Sequence, residues 1–484
     1  MLIPEVCEKA KTSVKIGRLQ QGDFSQHLED IMDLIFGENM KIVIALITAF
    51  VIVIGCAGPV LQVKQVEPRP VIEEVTSAGS SLKGELSPEG TITVLKALQL
   101  ALQSNPQLTV FSLEIRAREA AALQESFLPN PELAVEVENF AGGGALAAFK
   151  ASETTISLGQ LIELAGKRAR RTQAAALQAE LAGWDFESKR LEVYAQVVKN
   201  FYDVLAIQKL VKLNKEILTL TEEFKDQISL RVTSGRTSPA ELSRAEVEVA
   251  NARIALEQSQ RRLQAARQRL AATWGATTAA FDSVTGNFEN VSALPAFEAL
   301  QNALQKNPEW LRWDTETRLK QAQLALAKAL RIPDPTITAG YRRFNDLGQQ
   351  AFVAGFSIPL NIFNRNQGGI KEAALRAKQT AFQETFSRLQ LQTELSTMYQ
   401  NISAVQQSIF ALKNEIIPKA RQAFETISRG YQLGKFNFLE VLDARRSLFS
   451  ARQAYLQNLA DYHQLRAEIE RLTGKSLESF KIER

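Results

Sequence analysis

The chain has 484 residues, 23% of them charged, with 57 basic against 53 acidic side chains and a formal net charge of +4. That near balance leaves no concentrated cationic field for neutralising phosphates, so nucleic acid is excluded as the expected partner. Two histidines, His27 and His463, and two cysteines, Cys7 and Cys56, are too few for a Cys/His metal cage or a disulfide framework; with no Ser/His/Asp set and no phosphate-cradling glycine loop, an enzyme has no chemistry to stand on.

Residues 1–39 are polar and show no sustained pattern. Met40-Lys41 then precedes 14 nearly unbroken apolar residues, 42–55. That run is too short for a spanning helix, which needs about 20 residues, and has the length of a signal-peptide apolar region. Signal peptides begin at the N-terminus, so 1–39 reads as an upstream extension from a misassigned start and 40–55 as the signal peptide. Val53-Ile54-Gly55-Cys56 resembles a bacterial lipobox, which predicts cleavage before Cys56 and a covalent lipid on its thiol; the plainer alternative is a short buried helix with an incidental cysteine. No other cofactor and no metal site is expected. Residues 56–90, rich in Pro, Ser, Gly and Glu, read as an extended, lipidated tether.

The remainder is written twice. Residues 97–106 (ALQLALQSNP) recur as 299–308 (ALQNALQKNP), Pro129-Asn130-Pro131 is echoed by Pro333-Asp334-Pro335, and residues 235–275 align with 434–474, repeating Glu241, Ala245, Ala252, Arg253, Ala255, Gln258 and Arg267 as the same residue types. The chain therefore divides into repeat 1 (91–275), a linker (276–296), repeat 2 (297–474) and a short tail (475–484).

Each repeat opens with a predicted helix of about 20 to 30 residues that ends at the Pro-x-Pro, because proline cannot continue it. Two strands follow, near 132–140 and 153–161 in the first copy and near 335–344 and 350–360 in the second. Leu133, Val135 and Val137 alternate with Glu132, Glu136 and Glu138, and Phe352, Ala354, Phe356, Ile358 and Leu360 share one face, so each hairpin has one apolar and one polar side. On alternation alone, a half-buried hairpin of a soluble protein fits equally well. A proline-free stretch from 164 to about 230 then predicts a helix on the order of 100 Å long. Its counterpart, about 369 to 429, is interrupted only by Pro418, an expected kink. Return helices follow over 239–274 and 438–473, each with a predicted capping box, Ser238 with Glu241 and Asn437 with Glu440, after sharp tips at Gly235 and Gly434.

Four amphipathic strands cannot close a barrel, and in lipid every strand edge must be paired, so several chains must contribute. Three copies give 12 strands with an apolar outside and a wet lumen, and six helical hairpins to prolong it. The expected fold is mostly α with a β-barrel part: an internally duplicated helix-strand-strand-long helix-helix unit, assembled into a trimeric 12-stranded outer-membrane β-barrel continued by a periplasmic α-helical barrel.

This order of elements after a lipobox resembles the TolC-type outer membrane factors of tripartite efflux pumps. Residues 357–368 (SIPLNIFNRNQG) and 160–168 (QLIELAGKR) are most like the CzcC-like branch, associated with heavy-metal cation efflux. The resemblance implies a homotrimer in the outer membrane of a Gram-negative bacterium, working with a periplasmic membrane-fusion (adaptor) protein and an inner-membrane RND-type transporter. It also implies that the tips, marked by Arg231, Gly235, Arg236, Gly434 and Lys435, meet the adaptor, although the glycines also suit a turn with positive φ. Residues 440–444 look like the acidic constriction at the periplasmic mouth. Glu440 and Asp443 share a helix face, so threefold symmetry would gather six carboxylates there; carboxylates in a first helical turn are also favoured by the helix dipole. In the first copy Glu241 matches Glu440, whereas Arg244 stands opposite Asp443, which suggests a latch from Arg244 to a carboxylate of a neighbouring hairpin. His463 is expected at a helix seam or on the surface rather than on a metal. A drug-efflux duct of the same family, or a periplasmic lipoprotein adaptor or coiled-coil spacer, are the competing functions.

Overall fold

The computed structural model describes residues 88–482; the upstream extension, the signal peptide, Cys56 and most of the tether lie outside them. In chain order the first copy contains β1 (Gly90–Ile92), α1 (Val94–Ser104), α2 (Pro106–Gln124), β2 (Glu132–Glu138), β3 (Glu153–Leu161), α3 (Lys167–Thr233) and α4 (Pro239–Ala272). The linker carries β4 (Phe281–Val284). The second copy contains α5 (Phe297–Leu304), α6 (Pro308–Ala329), β5 (Thr336–Phe344), β6 (Gln349–Ser357), α7 (Gln367–Ala411), α8 (Ile417–Gln432) and α9 (Phe438–Thr473). The described residues fall into a sheet unit, Ser126–Leu164 with Pro333–Asn361, and a helical unit formed by the rest.

In the sheet unit the four strands make one antiparallel sheet in the order β2-β3-β5-β6. The register puts Leu133 opposite Leu158 and Val135 opposite Ile156; Ile156 faces Tyr341, and Tyr341 faces Phe352. Because residues two apart share a face, the apolar positions of both hairpins join in one surface across all four strands. Most of that surface is uncovered, with Leu133 67%, Phe352 72% and Phe356 69% exposed, while Tyr341 at its centre is buried at 7%. The opposite face is polar: Arg342 reaches Glu138 at 3.2 Å, Glu153 at 3.0 Å and the Thr155 hydroxyl at 2.8 Å. Gly340 lies on that face, where a Cβ would meet the Ile156 carbonyl at 2.6 Å and the Ser157 Cβ at 2.7 Å; only glycine lets β3 and β5 pair here.

In the helical unit α3 runs 67 residues without a break, about 100 Å at 1.5 Å per residue. The single helix expected before each Pro-x-Pro is two helices. Asn105 and Asn307 leave helical geometry and cap the next helix, with Pro106 and Pro308 in its first turn, where a missing N–H costs nothing. The same two asparagines act again with their amides: Asn105 Nδ2 donates to the Thr273 carbonyl at 2.7 Å, and Asn307 Nδ2 donates to the Leu472 carbonyl at 2.8 Å. Thr273 and Leu472 are equivalent in the two copies, so the duplication repeats this bond as well as the sequence. The interruption in the second long helix takes the form of a π-helical turn, Leu412–Ile416, just before Pro418. Proline cannot donate to the carbonyl four residues back and crowds it, and the wider turn absorbs the mismatch.

Two features were not anticipated. β1 and β4 pair in parallel, Ile92 opposite Val284, and the Gln208 side chain of α3 binds both main-chain groups of Val284, accepting from its N–H at 2.8 Å and donating to its carbonyl at 3.1 Å. The linker is also fastened to the second copy: the Tyr462 hydroxyl accepts from Ser292 N at 3.1 Å, and Gln406 donates to the Ser292 carbonyl at 2.8 Å. Around these ties lies the main core, with Phe201, Leu270, Trp274, Phe281, Leu395 and Tyr462 fully buried. A second, smaller core of Ile228, Ala245, Tyr431, Phe438, Val441 and Leu442 occupies the region of the tips.

Candidate functional site

The two tips are built alike. After α3 the Arg236 N–H bonds the Arg231 carbonyl at 2.8 Å and the Gly235 N–H bonds the Val232 carbonyl at 3.0 Å; after α8, Lys435 N–H bonds Gly430 and Gly434 N–H bonds Tyr431 at the same two distances. This closing turn needs a left-handed residue, and Gly235 and Gly434 supply it with φ of 68° and 74°. Gly235, Arg236, Gly434 and Lys435 are all exposed. So are the large apolar side chains beside them, Leu230 at 71% and Leu433 at 67%.

Arg231 is turned inward. Its guanidinium lies 4.5 Å over the Tyr431 ring and donates to the Tyr431 carbonyl at 3.1 Å. The Tyr431 hydroxyl reaches Glu241 at 3.3 Å, and the Thr237 hydroxyl donates to the same carboxylate oxygen at 2.8 Å. Burial, and then the Glu241 charge, raise the Tyr431 pKa above that of an ordinary tyrosine, so the phenol stays a donor. This arrangement corrects one expectation: the Ser238 side chain caps only the Ala240 N–H, and Glu241 does not close a capping box because its carboxylate is held by Thr237 and Tyr431. Across the hairpins Tyr431 packs against Phe224 at 5.7 Å, and Phe224 stacks on Phe438 at 5.8 Å.

At Asn437 the capping box is complete: Asn437 accepts from Glu440 N at 3.0 Å and Glu440 accepts from Asn437 N at 2.7 Å. Glu440 is nevertheless exposed, as are Asp443 and Arg244. Neither Asp443 nor Arg244 forms an ion pair among the described residues. The ion pair between return helices is made instead by residues sequence reasoning passed over. Arg445 on α9 is 7% exposed, donates to Glu248 of α4 at 2.7 Å and to the Thr221 hydroxyl of α3 at 3.0 Å, and so ties three helices; Arg446 binds the other oxygen of Glu248. Burial lowers the Arg445 pKa, with Glu248 opposing that shift, and the group remains cationic. Beside Arg445 is a cavity of about 350 Å³ walled by Phe224, Phe424 and Leu442, with Glu223, Glu425 and Arg429 around it. Neither Tyr431 nor Arg445 has a like residue in the first copy, where Val232 and Glu246 stand, so the repeat gave no signal for them.

His463 is buried. Its ring stacks on Tyr202 at 3.7 Å, and its Nε2 meets the Phe288 carbonyl of the linker at 2.9 Å. Among the described residues no group of carboxylates, histidines and cysteines is placed to hold a metal ion.

The family model of the outer membrane efflux protein matches residues 97–276 and 299–475, the two copies of the repeat. The chain belongs to the outer membrane efflux protein family. Among members of this family, it is 34% identical over 387 residues to the cobalt-zinc-cadmium resistance protein CzcC of Cupriavidus metallidurans, covering 80% of this chain and 91% of that one. It is 30% identical over 182 residues to the cation efflux system protein CusC of Escherichia coli, covering 34% and 37%. The solved structure of CusC superposes with a TM-score of 0.69 at 17% identity, over 87% of this chain and 99% of that chain. The open-state MtrE outer membrane channel of Neisseria gonorrhoeae gives 0.66 at 18% identity, over 86% and 99%. The outer membrane efflux protein fold is therefore that of this chain, and the periodicity-based reading of helices and strands agrees with it.

Proposed function

We propose that the chain is the outer-membrane component of a tripartite efflux pump, a passive duct through which heavy-metal cations leave the cell. The observation that carries the duct is the four-stranded sheet, with a largely uncovered apolar face and, among the described residues, two unpaired edges, β2 and β6. Such edges are stable in lipid only when each is paired, and β6 of one copy offers β2 of the next a heterologous contact that repeats into a ring. The helices support the same closure. Here α2 packs on α3, α3 on α6 and α6 on α7, which leaves outer faces at both ends of the row, Val110 and Leu113 on α2 and Phe382 and Phe386 on α7, all more than half exposed.

Three copies would close 12 strands, anchored further by a lipid on Cys56. The exposed tips, with Arg236 and Lys435 beside Leu230 and Leu433, suit a periplasmic adaptor that links the duct to an inner-membrane RND-type transporter. Asp443 and Arg244 are both exposed and neither forms an ion pair among the described residues, and a pairing between them across subunits would narrow the opening. Glu440 would add charge to that ring, while Glu241 serves the tie to Tyr431. The metal cargo is supported by the resistance protein with which the chain shares most of its length.

Deletion of the gene, followed by tolerance profiling with zinc, cobalt, cadmium, copper and silver beside common antibiotics, tests the cargo. Loss of tolerance to organic drugs alone would overturn the metal reading. Heat-modifiable migration of a detergent-extracted trimer and conductance in planar bilayers test the duct itself.

A further inference from the structure

We propose that a cleft between the start of α3 and the end of α6 binds the phosphate headgroup of an anionic phospholipid. The cleft encloses about 390 Å³ and is walled by Leu324, Ile332 and three alanines, with Arg170, Gln321 and Lys328 as its polar groups. No carboxylate among the described residues lines it. Arg170 donates its Nε to the Ala165 carbonyl at 3.3 Å, which fixes the base of the guanidinium and leaves its outer edge without an acidic partner among the described residues. Lys328 has no ion pair among the described residues. The neighbouring cations are used otherwise: Arg171 is paired with Glu125 at 2.6 Å, and the Lys167 ammonium binds the Ile332 carbonyl.

Two cations facing one concavity without a counter-charge repel each other, and an anion between them removes that repulsion while making charge-assisted hydrogen bonds. A cation on an ordinary solvated face needs no such anion, but it does not share a cleft with an apolar wall. The combination of phosphate-binding groups and an apolar wall matches a headgroup with the glycerol and first methylenes of its chains. Position along the chain favours a lipid as the source. Ala165 follows the last residue of β3 by four positions, and Ile332 precedes the first of β5 by four, so both sides of the cleft continue directly into strands. This inference rests on the reading of those strands as membrane-spanning.

The test uses the full-length protein purified in detergent and titrated with dioctanoyl phosphatidylglycerol, with bound lipid counted by native mass spectrometry. Saturable binding is expected, about tenfold weaker in the R170Q/K328Q double variant and restored in R170K/K328R. If the double variant fails to fold, K328Q alone, a change at an exposed side chain, carries the comparison. Equal retention by wild type and variant, or equal binding of dioctanoyl phosphatidylcholine, overturns the site. Displacement by equimolar inorganic phosphate would show a free-anion site and overturn the lipid source. Single-channel conductance of the same preparation separates the two levels: conductance with charge-independent lipid retention sinks the site alone, whereas no conductance sinks the membrane reading together with it.

Discussion

The Tyr431 hydroxyl of the second hairpin reaches the Glu241 carboxylate of the first at 3.3 Å, while Arg231 covers the other side of the same ring. The two tips of one chain are thereby held to each other by side chains, not by the turn backbone alone. Removing the hydroxyl in Tyr431→Phe deletes one charge-assisted bond and keeps the ring, a loss of about 1 kcal/mol at a partly solvated site. Arg231→Ala deletes the ring contact and the bond to the Tyr431 carbonyl. Each variant is expected to raise channel open probability in planar bilayers, and the double variant to show less than the sum, because both act through one ring. Strictly additive effects would argue against a single clasp.

Arg445 and Arg446 bind the two oxygens of one carboxylate, yet they are not equivalent. The Arg445 side chain is 8% exposed and Glu248 16%, so Arg445→Ala removes the buried partner of Glu248, leaves that carboxylate only its bond to the solvent-facing Arg446 and takes the donor from the Thr221 hydroxyl, a cost of about 3 kcal/mol. The Arg446 side chain is 66% exposed, and its replacement by alanine should cost less than about 1 kcal/mol. Thermal unfolding of the two variants side by side should show the difference; equal shifts would mean the seam is wetter than its geometry indicates.

His463 makes stability depend on pH. Burial first, and the nearby Arg466 charge as well, depress its pKa from 6.5 to about 4, against an opposing hydrogen bond to the Phe288 carbonyl; Tyr202 and Tyr462 pack on the ring. Its Nδ1 is buried without a partner among the described residues, as suits a neutral ring. The unfolded chain binds a proton below pH 6.5 while the folded one does not, so stability is complete above that pH and declines as pH falls toward 4. Between pH 7 and pH 5 the loss is about 2 kcal/mol. In His463→Phe this component of the melting-temperature slope should vanish; an unchanged slope would place the pH dependence elsewhere.

Gly340 stands where β5 passes closest to β3. Gly340→Val is expected to abolish the heat-modifiable trimer, because its Cβ would occupy the space of the Ile156 carbonyl and the Ser157 Cβ. Gly235→Ala meets no atom and is strained only by its φ of 68°, at a cost of about 1 kcal/mol, so it should still assemble. Gel migration with and without heating distinguishes the two.

Much of this was legible because it is local. Alternation in β2 and β6, the proline-free run of α3 and the recurrence of Asn-Pro report backbone periodicity and capping, which a chain writes into adjacent residues. The repeat located both tips through Gly235 and Gly434, since the left-handed turn they require is set within a few positions. The break at Asn105 was missed because a helix continuing into Pro106 and one restarting there share the same apolar spacing. The strand in the linker was missed because β1 and β4 are short, and their pairing is completed by a glutamine from a distant helix.

The sequence by itself determined the order, length and amphipathic faces of the elements, since each follows from neighbours along the chain. Only the tertiary structure decided which partners the chosen side chains take. Glu241 turns to Tyr431, 190 positions away, instead of to its own helix start, and Arg445 rather than Arg244 joins the return helices. Those choices depend on how two non-identical copies pack against each other, and the positions where the copies differ are the ones a repeat leaves undetermined.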